Sequence, residues 1–181
     1  MVVLFELGEL AQSQKHLEQA IALYQPRRRR VRAFHDPGVA CQAVAALTLW
    51  TLGYPDQAVK RIRESLTLAQ ELSHPFSLAL ALDCTARFHR FRREINATRE
   101  HAEALIALSH EHGFTLREAL GAGMRGWALA KQGQVEEGIV QIRQGLVGAQ
   151  VTGAELWQPD LLALLGEAYG EAGQLMKGSR R

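Results

Sequence analysis

The stretch from Thr115 to Gly133, "TLREALGAGMRGWALAKQG", decides the fold, because it admits two opposed readings. Gly121, Gly123 and Gly126 have the spacing G-x-G-x-x-G, with which a strand-to-helix turn cradles a pyrophosphate. That chemistry needs a strand ahead of the first glycine and a helix starting at the motif, so that unpaired amides face the phosphate. The preceding "HGFTLREAL" has helical spacing and supplies no strand. The glycines therefore sit within a helix, where a missing side chain lets a second helix come close. If Gly121 faces solvent, alanine there is expected to be neutral or stabilising, as the better helix former.

Helical spacing continues on both sides, and period-two alternation is nearly absent. Asp36 and Pro37 read as the cap and first residue of a helix that ends at Gly53. Beyond it Ala58, Ile62, Leu66 and Ala69 share one face of the next helix. Breaks of two or three residues separate the segments, as antiparallel neighbours require. The spacing predicts one repeat domain over 1–175, with helix pairs at about 1–24, 37–73, 75–112 and 115–152 and a final helix at 155–172. An Arg-rich connection fills 25–36 and a tail 176–181.

The pairs align with one another. Gly53, Gly133 and Gly173 end first helices, with Arg92 near the intermediate place. Small residues precede them at Ala46, Thr85, Gly126 and Gly166, and large ones follow at Leu49, Phe88, Leu129 and Tyr169. After the turn come Ala58, Ala97 and Gly138, then Ile62, His101 and Ile142, then Ser65, Ala104 and Gly145. A period of about 40 residues marks a helical repeat array.

Small-x-x-large, a turn glycine and a small residue five places on resemble the tetratricopeptide repeat in an elongated form. The resemblance implies an all-α, right-handed superhelical solenoid of antiparallel helix pairs. The phrases "HDPGVACQAVAALTLWTLGYPDQAV", "RGWALAKQGQVEEGIVQIRQGL" and "TGAELWQPDLLALLGEAYGEAGQ" are similar to the C-terminal repeat region of bacterial multidomain signalling proteins. Those join a class III adenylate/guanylate cyclase or other output domain to an ATPase domain and then to such repeats. The resemblance covers about residues 1–175 and implies a fragment or remnant of a larger protein. It carries over neither activity, since the sequence has no G-x-x-x-x-G-K-[ST] and no cyclase domain.

Composition narrows the classes further. With 181 residues, 47% hydrophobic and 22% charged, the chain can bury a sizeable core. No apolar run reaches the roughly 18–20 residues of a membrane span, and Glu6 and Glu9 argue against a secretory signal. Cys41 and Cys84 lie in Ala-rich apolar stretches and read as buried thiols of a cytoplasmic protein. The net charge of +2 does not favour nucleic acid. It hides one basic patch, Arg27, Arg28, Arg29, Arg30 and Arg32, without which 16 basic face 19 acidic side chains. Bracketed by Pro26 and Pro37, that run reads foremost as a solvated connection, and secondarily as a site for an acidic partner.

Nothing in the pattern calls for catalysis, a metal or a cofactor. His110 and His112 lie two apart on a helix, about 200° around it, and cannot readily share an ion. Asn96-Ala97-Thr98 matches a glycosylation sequon but falls on a helix-packing position. What remains is binding. If first helices line a concave groove, its partner-binding residues are Trp50, Arg87, His89, Arg90, Trp127 and Lys131, suited to a peptide with acidic and apolar residues. The leading reading is a non-enzymatic protein-interaction or regulatory module whose partners include its parent's ATPase or cyclase domains. The alternative is a sensor of a nucleotide or metabolite. Apolar terminal helices, the last carrying Leu161, Leu162, Leu164, Leu165 and Tyr169, are expected to drive homo-oligomerisation.

Overall fold

The computed structural model describes residues 4–5, 7–25 and 34–178, with side chains as far as 173, and among the described residues eight α-helices follow one another. They are α1 (Leu10–Leu23), α2 (Pro37–Thr51), α3 (Pro55–Leu72), α4 (Pro75–Phe91), α5 (Ile95–His112), α6 (Thr115–Lys131), α7 (Val135–Val151) and α8 (Gln158–Gly178). A 3-10 turn, Glu155–Trp157, leads into α8, and no strand occurs among the described residues. The fold is an all-α helical repeat.

Local chemistry sets the helix ends. The Asp36 carboxylate accepts from the amides of Gly38 (2.8 Å) and Val39 (3.1 Å), capping α2 as its sequence implies. Prolines open α2, α3 and α4, where the missing amide would have had no partner. A left-handed residue closes a helix at every twentieth position from 53 to 153: Gly53, Ser73, Arg93, Gly113, Gly133 and Gly153. Two of these are not glycine, and there the repeat was hard to read. Arg93, at φ 59°, is the middle turn residue, one place beyond Arg92.

That shift corrects the register of the middle pair. The buried face of α5 is Thr98, Ala102, Leu105 and Ser109, whereas Ala97 and His101 are half-buried and Ala104 is exposed. The residues matching Ala46 and Leu49 become Ala86 and His89 rather than Thr85 and Phe88. Gly173 is corrected too. It lies within α8 and ends no helix, because a glycine inside a helix costs only about 1 kcal/mol and helix-forming residues follow it.

Contacts group the chain into two compact units, 1–88 and 89–181, as expected where each helix pair touches mainly its neighbours. In the first unit Leu17 of α1 packs with Cys41, Val44 and Ala45 of α2. Val39, Ala69 and Ala81 join α2, α3 and α4. Ser65 lets α3 approach α2 and donates its hydroxyl to the Val39 carbonyl at 3.0 Å.

In the second unit α6 is the central helix, and its three glycines each serve a different neighbour. A methyl group on Gly121 would lie 2.8 Å from Ile106 Cγ1 and 3.3 Å from the Ala102 carbonyl, both on α5. One on Gly123 would run into Leu161 Cδ2 of α8. One on Gly126 would lie 2.6 Å from the Gly138 carbonyl and 3.0 Å from the Ile142 amide, both on α7. Gly138 and Gly145 return the contact, each within 2.5 Å of an α6 carbonyl by the same measure. Backbone therefore meets backbone along α6 and α7. Trp127, Leu120, Ile142, Leu161 and Leu164 close the core around that approach.

Gly121 is thus buried, and the solvent-facing premise for its substitution fails. Gly126→Leu is expected to cost more than about 1 kcal/mol through overpacking, and Gly121→Ala to destabilise as well. Gly166→Ala, in open space on α8, should gain up to about 1 kcal/mol. Thermal melts of the three variants rank them, and a Gly126→Leu chain that melts like the wild type contradicts this packing.

Candidate partner-binding surface

Each residue expected in the groove takes its place within its own unit. In the first, Trp50 is half-buried at the end of α2 and meets the Phe88 ring edge-on, with centroids 5.7 Å apart. Arg87 is buried on α4, and Asp83, one turn earlier, is fully enclosed. An open cleft of about 480 Å³ runs along α3, lined by side chains of both signs including Asp56, Lys60, Arg63 and Glu64.

In the second unit, three of the four expected residues are engaged by α8. The Arg90 guanidinium, with 8% of its side chain exposed, donates to Asp160 Oδ1 at 2.6 Å. Trp127 is fully buried and its Nε1 donates to Glu167 Oε2 at 3.0 Å. Lys131 donates to Glu171 Oε1 at 2.5 Å and lies 3.5 Å from Glu167, with its ammonium 6.0 Å from the Trp127 centroid. Arg93 adds a contact to Glu167 at 2.7 Å. A fully buried Trp127 offers no ring face to a ligand in this arrangement.

The carboxylates of α8 were missed in the sequence, although a signal was there. Trp127–Glu167 and Lys131–Glu171 each pair residues 40 apart, one repeat length, so each first-helix side chain reaches its equivalent on the next first helix. Burial raises the Glu167 carboxyl, but the hydrogen bonds from Trp127 and Arg93, with the charges of Arg93 and Lys131, outweigh it and hold the group below its ordinary range.

His89 takes a different partner. Its Nδ1 donates to Glu94 Oε2 at 2.5 Å, and Arg92 grips the other Glu94 oxygen at 2.8 Å. The His89 ring stacks on His101 with centroids 5.2 Å apart and planes 11° off parallel. Burial, and then the neighbouring His89, push the His101 imidazole below its usual value, with Glu100 opposing.

The basic patch Arg27, Arg28, Arg29, Arg30 and Arg32 lies outside the described residues. Among the described residues no group of three or more His, Cys, Asp or Glu is placed to hold a metal ion. No helix there is long and apolar enough to cross a membrane.

Comparison with known proteins places the fold. No family model and no curated protein matches the chain. Two crystal structures of nearly identical TPR-like repeats from a kinesin light chain-type protein of Podosopora anserina are similar to it. One superposes with a TM-score of 0.61, and a variant of the same protein gives 0.62. Both are 18% identical to the chain and cover 98% of it and 85% of their own length. At that identity the likeness shows the fold, a TPR-like helical repeat.

Two measurements test the geometry. Asp160→Ala removes a close carboxylate from the enclosed Arg90 guanidinium, so it should lower stability by about 1–3 kcal/mol, with Asp160→Asn losing less. A melt unchanged by Asp160→Ala would mean that α8 is not seated through this pair. The second is pH. A lowered His101 means the folded chain binds fewer protons than the unfolded one below the ordinary value of 6.5, so stability rises with pH through that window and falls on acidification. His101→Gln should flatten the change in melting temperature just below that value. An equal slope in both chains would remove His101 as its source.

Proposed function

We propose that the chain is a non-enzymatic protein-interaction module that binds an acidic, amphipathic partner segment along its first helices. The observation that carries this reading is α8 itself, an amphipathic helix whose three carboxylates accept hydrogen bonds from Arg90, Trp127, Lys131 and Arg93. The first helices thus already read acid and apolar side chains together on one helical ligand. Lys131, Glu167 and Glu171 keep 20%, 31% and 29% of their side chains exposed, so the row remains open to a polar partner. Each unit contributes by itself on this reading: Trp50 in the first, and His89 and Lys131 in the second, whereas Arg87 and Arg90 are buried and act from behind the surface.

Partners on this reading are other proteins, domains of a larger signalling protein in the cytoplasm among them, and further copies of the chain through its terminal helices. The TPR-like fold supports it, since repeat arrays of this kind serve as extended binding surfaces.

A thermal-shift series on the full chain separates this reading from the sensing of a small ligand. Acidic amphipathic peptides should raise the melting temperature, by up to about 2.7 kcal/mol of added stability at a hundredfold excess over Kd. The effect should weaken with salt, because its charges are partly exposed. Stabilisation by a nucleotide or metabolite and by none of the peptides overturns the proposal in favour of the sensor.

A further inference from the structure

The inward side chains of α8 meet receptors fitted to their chemistry. Asp160 Oδ1 accepts from Arg90 at 2.6 Å. Leu161 lies over Gly123, where a methyl group would run into its Cδ2, and Leu164 Cδ1 is 3.6 Å from that same position. Glu167 accepts from Trp127 at 3.0 Å and from Arg93 at 2.7 Å, and Glu171 from Lys131 at 2.5 Å. Ala168, beside Glu167 in the chain, is buried. Read in order these residues spell D-L-x-x-L-x-x-E-A-x-x-E, which is one stripe of an α-helix.

The seat holds α8 from one side. Among the described residues, a methyl group on Gly166 or Gly170 would meet nothing within 4 Å, and Leu162, Ala163 and Tyr169 are exposed, with Arg143 reaching the Tyr169 hydroxyl from α7. In contrast, α6 has a close neighbour at each of Gly121, Gly123 and Gly126. Withdrawing α8 alone breaks every bond of the row and uncovers Trp127 and the Gly123 notch, a net loss. A second helix with the same pattern remakes those bonds and covers the same apolar surface, so exchange of one for the other is near balance. Lys131, Glu167 and Glu171 are half-buried, and partly exposed ion pairs of this kind give way to a competing carboxylate at small cost.

We propose that α8 is the resident occupant of the partner site, and that the partner is a helix carrying D-L-x-x-L-x-x-E-A-x-x-E that takes its place. This rests on the acidic-partner reading above, and adds to it the pattern that is read and the competitor that limits access. The seat supplies the selection. Arg90, Arg93, Lys131 and the Trp127 indole N–H are donors only, so a fitting helix must present acceptors to them. A lysine at the eighth position of the pattern would face Arg93 and Lys131 and leave the Trp127 N–H without its acceptor. A side chain larger than alanine at the ninth, where Ala168 is buried, would push the helix off its seat. Residence of α8 also sets the affinity, because the partner binds only chains whose α8 has left, and its apparent affinity falls by that fraction.

Fluorescence anisotropy of a labelled peptide with the sequence of residues 158–173, added to the full chain, tests this. Glu167→Gln with Glu171→Gln in the chain weakens the competitor and should tighten peptide binding about tenfold. The same two changes made in the peptide should loosen binding by a similar factor. A peptide seated anywhere else loosens on losing its own carboxylates and ignores those of α8. Hydrogen exchange on the isotope-labelled wild-type chain gives a second readout that needs no variant to fold. With peptide at saturation, the amides of α8 should lose protection while those of α6 keep theirs. Peptide binding that is indifferent to the α8 substitutions, with α8 protected throughout, overturns displacement and leaves the acidic-partner reading standing. So does a chain, substituted or not, that binds other acidic amphipathic helices and never this peptide. If no acidic helix binds, both readings fall.

Discussion

The closeness of α6 to its neighbours is the constraint on which the second unit depends. A helix ringed by side chains keeps other helices about 8–10 Å away, axis to axis. Here three glycines on one helix, at 121, 123 and 126, remove that spacer toward α5, α8 and α7 in turn. Large residues can then fill the space beside each crossing, and Trp127, Leu120 and Met124 are all but fully buried. The short separation that resembles a phosphate-binding loop is the consequence of a helix with three close partners.

Seating α8 follows from the same arrangement. Gly123 makes room for Leu161, which brings the start of α8 close enough for Asp160 to reach Arg90. From there the helix runs along α6 one repeat length out of step, so Glu167 meets Trp127 and Glu171 meets Lys131. Removing water from charges costs several kcal/mol per ion, and such pairs are favourable only with good geometry. Their contribution is orientation: they choose which side of α8 faces inward, and so which side is left uncharged.

Much of this was legible in the residues. Asp36-Pro37, Gly53 and Gly133 mark a cap and two turns with their physical causes, and the small residue at 126 marks a helix approach. The middle pair misled because its turn residue is Arg93, which adopts a left-handed conformation without the glycine that normally announces it. Gly173 misled in the opposite sense, a glycine where the helix continues. The site was legible by residue type and not by role. Arg90, Trp127 and Lys131 do lie where carboxylates are received, but periodicity gives a helix face and not the identity of the helix that covers it. The His89–His101 stack escaped because the slipped register had placed His101 in the core and His89 in the groove.

The central claim is that the glycine-mediated approach of α6 to its neighbours is the stable heart of the second unit. Native-state hydrogen exchange tests it directly. Amides of residues 119–130 and 138–149 should exchange slowest in residues 89–181 and only through global unfolding of that unit, with α8 opening at lower free energy. Exchange across α6 and α7 as fast as in α8, or release of α6 before α8, would contradict the account.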